Sequence, residues 1–117
     1  MPRDAGGFLF DILSACDDIR SFVGEADAAS YAENKLLRFA VERSFEIIGE
    51  AISQLAKLDP DLVQRISDWR DAIAFRNILI HGYATIDHDI VWRVVNDSLP
   101  ALRQSVAALL QELSPRQ

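Results

Sequence analysis

A single cysteine, Cys16, in 117 residues excludes an internal disulfide. No charged-then-apolar leader with a small-residue cleavage site opens the chain, so secretion is not expected and the cytoplasm is the expected compartment. Long apolar runs are missing too. Nothing approaches the ~18 to 20 uncharged residues needed to cross a bilayer, and no membrane partner is expected. Basic charge is scarce: 12 Lys and Arg face 18 Asp and Glu, and a net charge of −6 argues against a general nucleic-acid binder. The imbalance is mostly N-terminal. Residues 1–33 hold two basic side chains, Arg3 and Arg20, against seven acidic ones. Between Arg65 and Arg93 four arginines meet four aspartates, which leaves room for a local positive groove doubled across a dimer. No segment alternates apolar and polar residues as a strand would, and no internal repeat is present.

Half of the residues are apolar, enough for one domain with a core of its own. Their spacing is helical. Residues 1–7, with Pro2 and the Gly6-Gly7 pair, read as a flexible N-terminal arm. From Phe8, the residues Ile12, Ala15, Cys16, Ile19, Phe22 and Val23 recur in three- and four-residue steps, predicting a helix that ends near Gly24. Cys16 lies on that stripe without a histidine or basic pair to activate it, and reads as a buried core thiol. Ser30-Tyr31-Ala32-Glu33 has capping-box spacing. It predicts a second helix running to about Lys57, roughly 40 Å long, with Leu37, Val41, Phe45, Ile48, Ile52 and Leu55 on its apolar face. Gly49 in its middle costs roughly 1 kcal/mol relative to alanine, which points to the close approach of another helix. Glu50 beside it is either a solvated carboxylate or the partner of an arginine from another helix.

Asp59-Pro60 marks a boundary, with aspartate as cap and proline at the first helical position. Ser67-Asp68 supplies a fresh cap for a third main helix carrying Trp69, Ala72, Ile73 and Leu79. Thr85 or Asp87 then caps a fourth, with Ile90, Val91, Val94, Val95 and Leu99 on one face. Pro100 predicts a kinked or broken helix pair, whose second member carries Leu102, Val106, Leu109, Leu110 and Leu113. Residues 114–117 read as a tail. The fold expected for residues 8–113 is all-α, an antiparallel (up-and-down) bundle of four to five helices.

Phe75-Arg76-Asn77-Ile78-Leu79-Ile80-His81-Gly82-Tyr83 closes the third main helix. His81-Gly82 fits a plain helix C-terminus, with glycine in the left-handed position and histidine at the negative end of the dipole. It also fits a chemical cluster. Arg76 and His81 are five steps apart, ~140° round a regular helix, and share a site within one chain only if the helix ends between them. Gly82 predicts that ending. Asn77 is either a polar bracket for His81 or bonds its own backbone. Tyr83 either buries its ring with a wet hydroxyl or reaches outward. His88 stands between Asp87 and Asp89, but consecutive helical positions point ~100° apart and do not chelate one ion. These three read as solvated first-turn residues at the positive helix end. No metal and no cofactor is expected.

Ile47-Ile48-Gly49-Glu50-Ala51, Trp69, the stretch Phe75 to Tyr83, then Asp87 and Trp92 ahead of Leu99-Pro100 resemble the HepT-like ribonuclease toxins of the HEPN superfamily in order and spacing. The likeness covers about Phe8 to Leu113. The family motif of arginine, four residues, histidine, any residue and tyrosine falls on Arg76, His81 and Tyr83. The resemblance implies a dimeric HEPN-like bundle that cleaves RNA without a metal as the toxin of a toxin–antitoxin pair. It also implies a cognate minimal nucleotidyltransferase as antitoxin, which attaches AMP to the motif tyrosine, here Tyr83. The implied partners are an RNA substrate, that nucleotidyltransferase and a second copy of the chain, with no DNA.

The residue chemistry suits that activity. Cutting RNA without metal requires a proton acceptor for the 2′-hydroxyl, a proton donor for the leaving oxygen, and positive charge on the phosphorus centre. Histidine serves either proton task near neutral pH, and arginine offers a permanent fork of donors to phosphate oxygens. Arg76 and His81 are thus the catalytic candidates, with Asn77 and Glu50 in support. One chain supplies one well-placed histidine, so two copies facing across a two-fold axis complete the set. Two other functions compete: a non-catalytic helical dimer that binds nucleotide or RNA or holds the nucleotidyltransferase, and a structural bundle in which Arg76 pairs with Glu50 and His81 caps a helix.

Overall fold

A computed structural model describes residues 3–113. The tail expected at 114–117 and the first two residues of the expected arm lie outside the described residues. The fold is an all-α, up-and-down bundle, built on the apolar stripes that the spacing predicts.

The first helix, α1 (Ala5–Val23), starts earlier than Phe8. Asp4 accepts a hydrogen bond from the Gly7 amide at 2.7 Å, and this cap draws residues 5–7 of the expected arm into the first turn. Gly24, at φ 52°, closes the helix in a conformation that favours glycine. The buried face of α1 is Leu9, Ile12, Ala15, Cys16 and Ile19. Cys16 is fully buried, and burial first and Asp17 second push its thiol up to about 12.

The long helix is interrupted where the sequence reads it as continuous. Asp27, not Ser30, is the N-cap of α2 (Ala28–Glu33), and Ser30 is its reciprocal partner three residues on. Asn34 then leaves helical geometry at φ −105°, ψ 94°, and its side chain accepts from the Leu37 amide at 3.0 Å to start α3 (Lys35–Leu58) afresh. At 24 residues, α3 is the longest element. Asp59 caps α4 (Pro60–Val63) as expected. Asp68 precedes α5 (Trp69–His81) at φ 57° and makes no capping bond through its side chain. Here the expected cap is replaced by tertiary anchoring, because the Ser67 amide donates to Ser105 Oγ at 3.0 Å.

Asp87, rather than Thr85, caps α6 (His88–Arg93). One π turn, Val94–Ser98, then leads straight into α7 (Leu99–Leu113), so neither a break nor a second start occurs at Pro100. The π turn has already moved pairing to the fifth residue back, with the Leu99 amide on the Val94 carbonyl. Proline's missing N–H is absorbed by that change of register.

The centre of the bundle is α3, flanked by α1 and α5, while α7 packs on α1 and α2 lies against α3 and α6. Leu9, Ile12, Ile19, Val41, Ile48, Ile52, Leu55, Leu99 and Val106 meet in one core. Each such side chain contributes roughly 1.5–3 kcal/mol of transfer free energy. Tyr31 is fully buried, its ring 5.2 Å from that of Trp92. Among the described residues, no helix is long and apolar enough to cross a membrane.

Candidate active site

The site is built on the crossing of α3 and α5. A Cβ on Gly49 would lie 2.3 Å from Arg76 Cβ, 2.9 Å from its Cγ and 3.0 Å from the Ala72 carbonyl oxygen. Only a residue without a side chain lets α5 come this close, so the glycine inside α3 is explained by the stem of Arg76 lying on it.

From that anchor the guanidinium fans across two helices. Arg76 Nη2 lies 2.9 Å from Glu50 Oε1, and Nη1 donates to Asn77 Oδ1 at 2.8 Å. Glu50 is thus the partner of an arginine and not a lone solvated carboxylate. Asn77 does neither thing expected of it: it brackets Arg76, instead of His81 or its own backbone. Gln54, one turn along α3, donates to Glu50 Oε2 at 2.9 Å. The sequence reading missed Gln54, although its i+4 spacing from Glu50 was the available signal. Arg76 Nε is buried and unpaired, while the side chain as a whole stays 28% exposed. The groove above it, about 370 Å³, is lined by Phe8, Asp11, Arg43, Glu46, Glu50 and Ile80 among others. Of its carboxylates, Glu50 pairs with Arg76, while Asp11 pairs with Arg3 and Glu46 with Arg43.

His81 is elsewhere. α5 runs through His81 to Gly82, whose amide donates to the Ile78 carbonyl at 2.8 Å. The helix therefore does not end between Arg76 and His81, and five regular steps hold the two ~140° apart on one rod. The exposed imidazole shares the solvent-facing side of α5 with Ala74, Asn77 and Ile78. Gly82 sits at φ −106°, not in the left-handed region, and a Cβ there would lie 2.9 Å from the Ile78 oxygen. Steric closeness, not backbone handedness, accounts for that glycine. Tyr83 opens a short 3-10 turn (Tyr83–Thr85) and is 79% exposed, ring included. His88 is the first residue of α6, with Nδ1 buried and unpaired.

The family model described as ribonuclease HepT-like matches residues 12–109. The chain belongs to this HepT-like family. Its relatives include "Putative RNase MJ1380" of Methanocaldococcus jannaschii, 35% identical over 106 residues, which are 89% of this chain and 94% of the relative. "Putative RNase MJ0125" of the same organism is 32% identical over 117 residues, 99% and 100% of the two chains. "Probable ribonuclease HepT" of Thermococcus cleftensis is 32% identical over 107 residues, 88% and 93%. No solved structure matches the chain. In this member of the HepT-like family, Gly49, Glu50, Arg76 and Asn77 form one connected unit, to which His81, one turn beyond Asn77, and Tyr83 make no hydrogen bond.

Proposed function

We propose that this HepT-like protein is an endoribonuclease toxin that cleaves RNA without a metal, with Arg76 and His81 as catalytic residues. The observation that carries the reading is the held guanidinium: Arg76 is anchored on Gly49 and oriented by Glu50 and Asn77 beside an open groove. In that position it faces the charge that builds on a pentacoordinate phosphate. His81 takes the 2′-hydroxyl proton or gives one to the leaving 5′-oxygen, and the products are a 2′,3′-cyclic phosphate and a 5′-hydroxyl. The ~140° between the two residues supports a shared site completed by a second copy. The exposed Ala74, Asn77, Ile78 and His81 along α5 suit a two-fold contact, since Ile78 is 59% exposed and Ala74 allows close approach.

Incubating the purified protein with transfer and messenger RNA in the presence of a chelator tests this. Cleavage should persist, and His81→Ala should lower the rate by at least ~100-fold while leaving thermal stability unchanged, because the side chain is exposed. A folded His81→Ala variant that cuts at the wild-type rate would overturn the assignment. The competing reading, a non-catalytic dimer that binds nucleotide, draws on the prior engagement of Arg76 by Glu50. It requires RNA to be bound and left whole.

Control by a minimal nucleotidyltransferase through AMP attached to Tyr83 belongs to the same proposal. The exposure of Tyr83 supports it, since a phenol this open can enter another enzyme's active site. In the shared site, the added phosphate charge would then compete for Arg76 of the second copy. Co-expressed with such a partner, Tyr83→Phe should show no adenylyl mass increments and should remain toxic. Full silencing of Tyr83→Phe would show that inhibition comes from binding alone.

A further inference from the structure

The groove where the end of α1 meets the start of α7 carries a different charge pattern from other depressions of the surface. Three other depressions each contain at least two carboxylates: Asp68 and Asp71 in two of them, and Asp11, Glu46 and Glu50 beside Arg76. The fourth, about 660 Å³ between the end of α1 and the start of α7, has two arginines and no acidic residue in its lining. In a chain of net charge −6 such a place is conspicuous. Arg20 is exposed on its rim, and among the described residues it makes no ion pair within 4 Å. Arg103 gives Nε and Nη2 to Asp17 at 2.6 and 3.4 Å, which holds the guanidinium in place and leaves Nη1 for another acceptor. The π turn sets the remaining walls. It brings Asn96 and Val95 to the groove next to Pro100, and Asn96 Nδ2 is tied to the Trp92 carbonyl at 2.8 Å, so its own carbonyl oxygen is the atom left to accept. Gln104 adds a second amide.

From this geometry we infer that the α1–α7 groove is a second contact for single-stranded RNA, seating a backbone phosphate between Arg20 and Arg103 and an unstacked base on the exposed ring of Pro100. Paired cations and an apolar floor bracketed by amides match the phosphate and base of an unpaired nucleotide, whereas a duplex hides its base faces. The inference rests on the ribonuclease reading, for which the groove would hold substrate at a distance from Arg76.

Arg20→Ala is the test, because it removes no hydrogen bond or ion pair of the Asp17–Arg103 unit and lies outside the Arg76 site. Binding of a 2′-O-methyl RNA oligomer, which cannot be cut, should weaken, and the slope of log affinity against log salt should become shallower by about 0.7 for the one lost phosphate contact. Arg20→Lys should restore the slope. With cleavable RNA, KM should rise for long strands and stay unchanged for a dinucleotide, with kcat constant throughout. An unchanged salt slope, or an equal effect on the dinucleotide, overturns the inference. Saturable, Arg20-dependent binding of AMP without any effect on the oligomer also overturns it, by making the groove a mononucleotide pocket. If the wild-type protein cuts nothing, the ribonuclease reading fails, while the uncuttable oligomer still decides the fate of the groove.

Discussion

Gly49 joins stability to chemistry at a single position. Replacing it with alanine removes the roughly 1 kcal/mol disadvantage of glycine in a helix. It also forces a methyl to within 2.3 Å of Arg76 Cβ and 3.0 Å of the Ala72 backbone oxygen, and neither atom is the end of a flexible chain. Overpacking of this kind costs typically 1–3 kcal/mol and so outweighs the propensity gain. Gly49→Ala should lower the urea midpoint and reduce RNA cleavage together, because the displaced group is the stem of the arginine. Gly6→Ala is the matched control. Its new Cβ would meet only the Asp4 carboxylate at 3.6 Å, an ordinary contact, so the propensity gain stands unopposed and stability should hold or rise.

The break between α2 and α3 is an element-scale feature with a sign that can be tested. Were the helix continuous, Asn34→Ala would place a better helix former in its interior and stabilise it. With Asn34 capping α3 through the Leu37 amide, the same change should destabilise by about 1 kcal/mol in denaturant unfolding. Reading this break in advance was beyond the sequence, because Asp27, Ser30 and Asn34 are all good caps and the apolar stripe begins only at Leu37, beyond all three. The stop at Gly24, the start at Asp59-Pro60 and the glycine-marked crossing at Gly49 were legible, since each position has one strong physical meaning. Of the kink or break read at Pro100, the break does not occur, because the π turn shifts the pairing ahead of the proline and leaves no local signature in the sequence. Gly82 was legible as a helix end but not as to its geometry: a glycine after a last turn looks the same whether a positive φ or a crowded carbonyl requires it. In either case Gly82 ends the helix only after His81, so Arg76 and His81 stay on one regular helix.

At the scale of the whole molecule, the proposed use of Arg76 and His81 from two copies would make assembly part of the reaction. Light scattering at micromolar concentration should give about twice the 13.1 kDa chain mass. Mixing inactive Arg76→Ala with inactive His81→Ala should restore part of the activity, since a mixed pair retains one site with both groups. No recovery after subunits have demonstrably exchanged would place both residues in one chain's site. The thiol buried in α1 has a separate use. Cys16 is the chain's one cysteine, and it is closed off from solvent against α3 and α7. A thiol reagent can therefore reach it only when α1 lifts away. The labelling rate of the unmodified protein is a built-in clock for that opening, readable by mass without an engineered probe, and RNA or a second subunit that clasps the bundle will be seen to slow it.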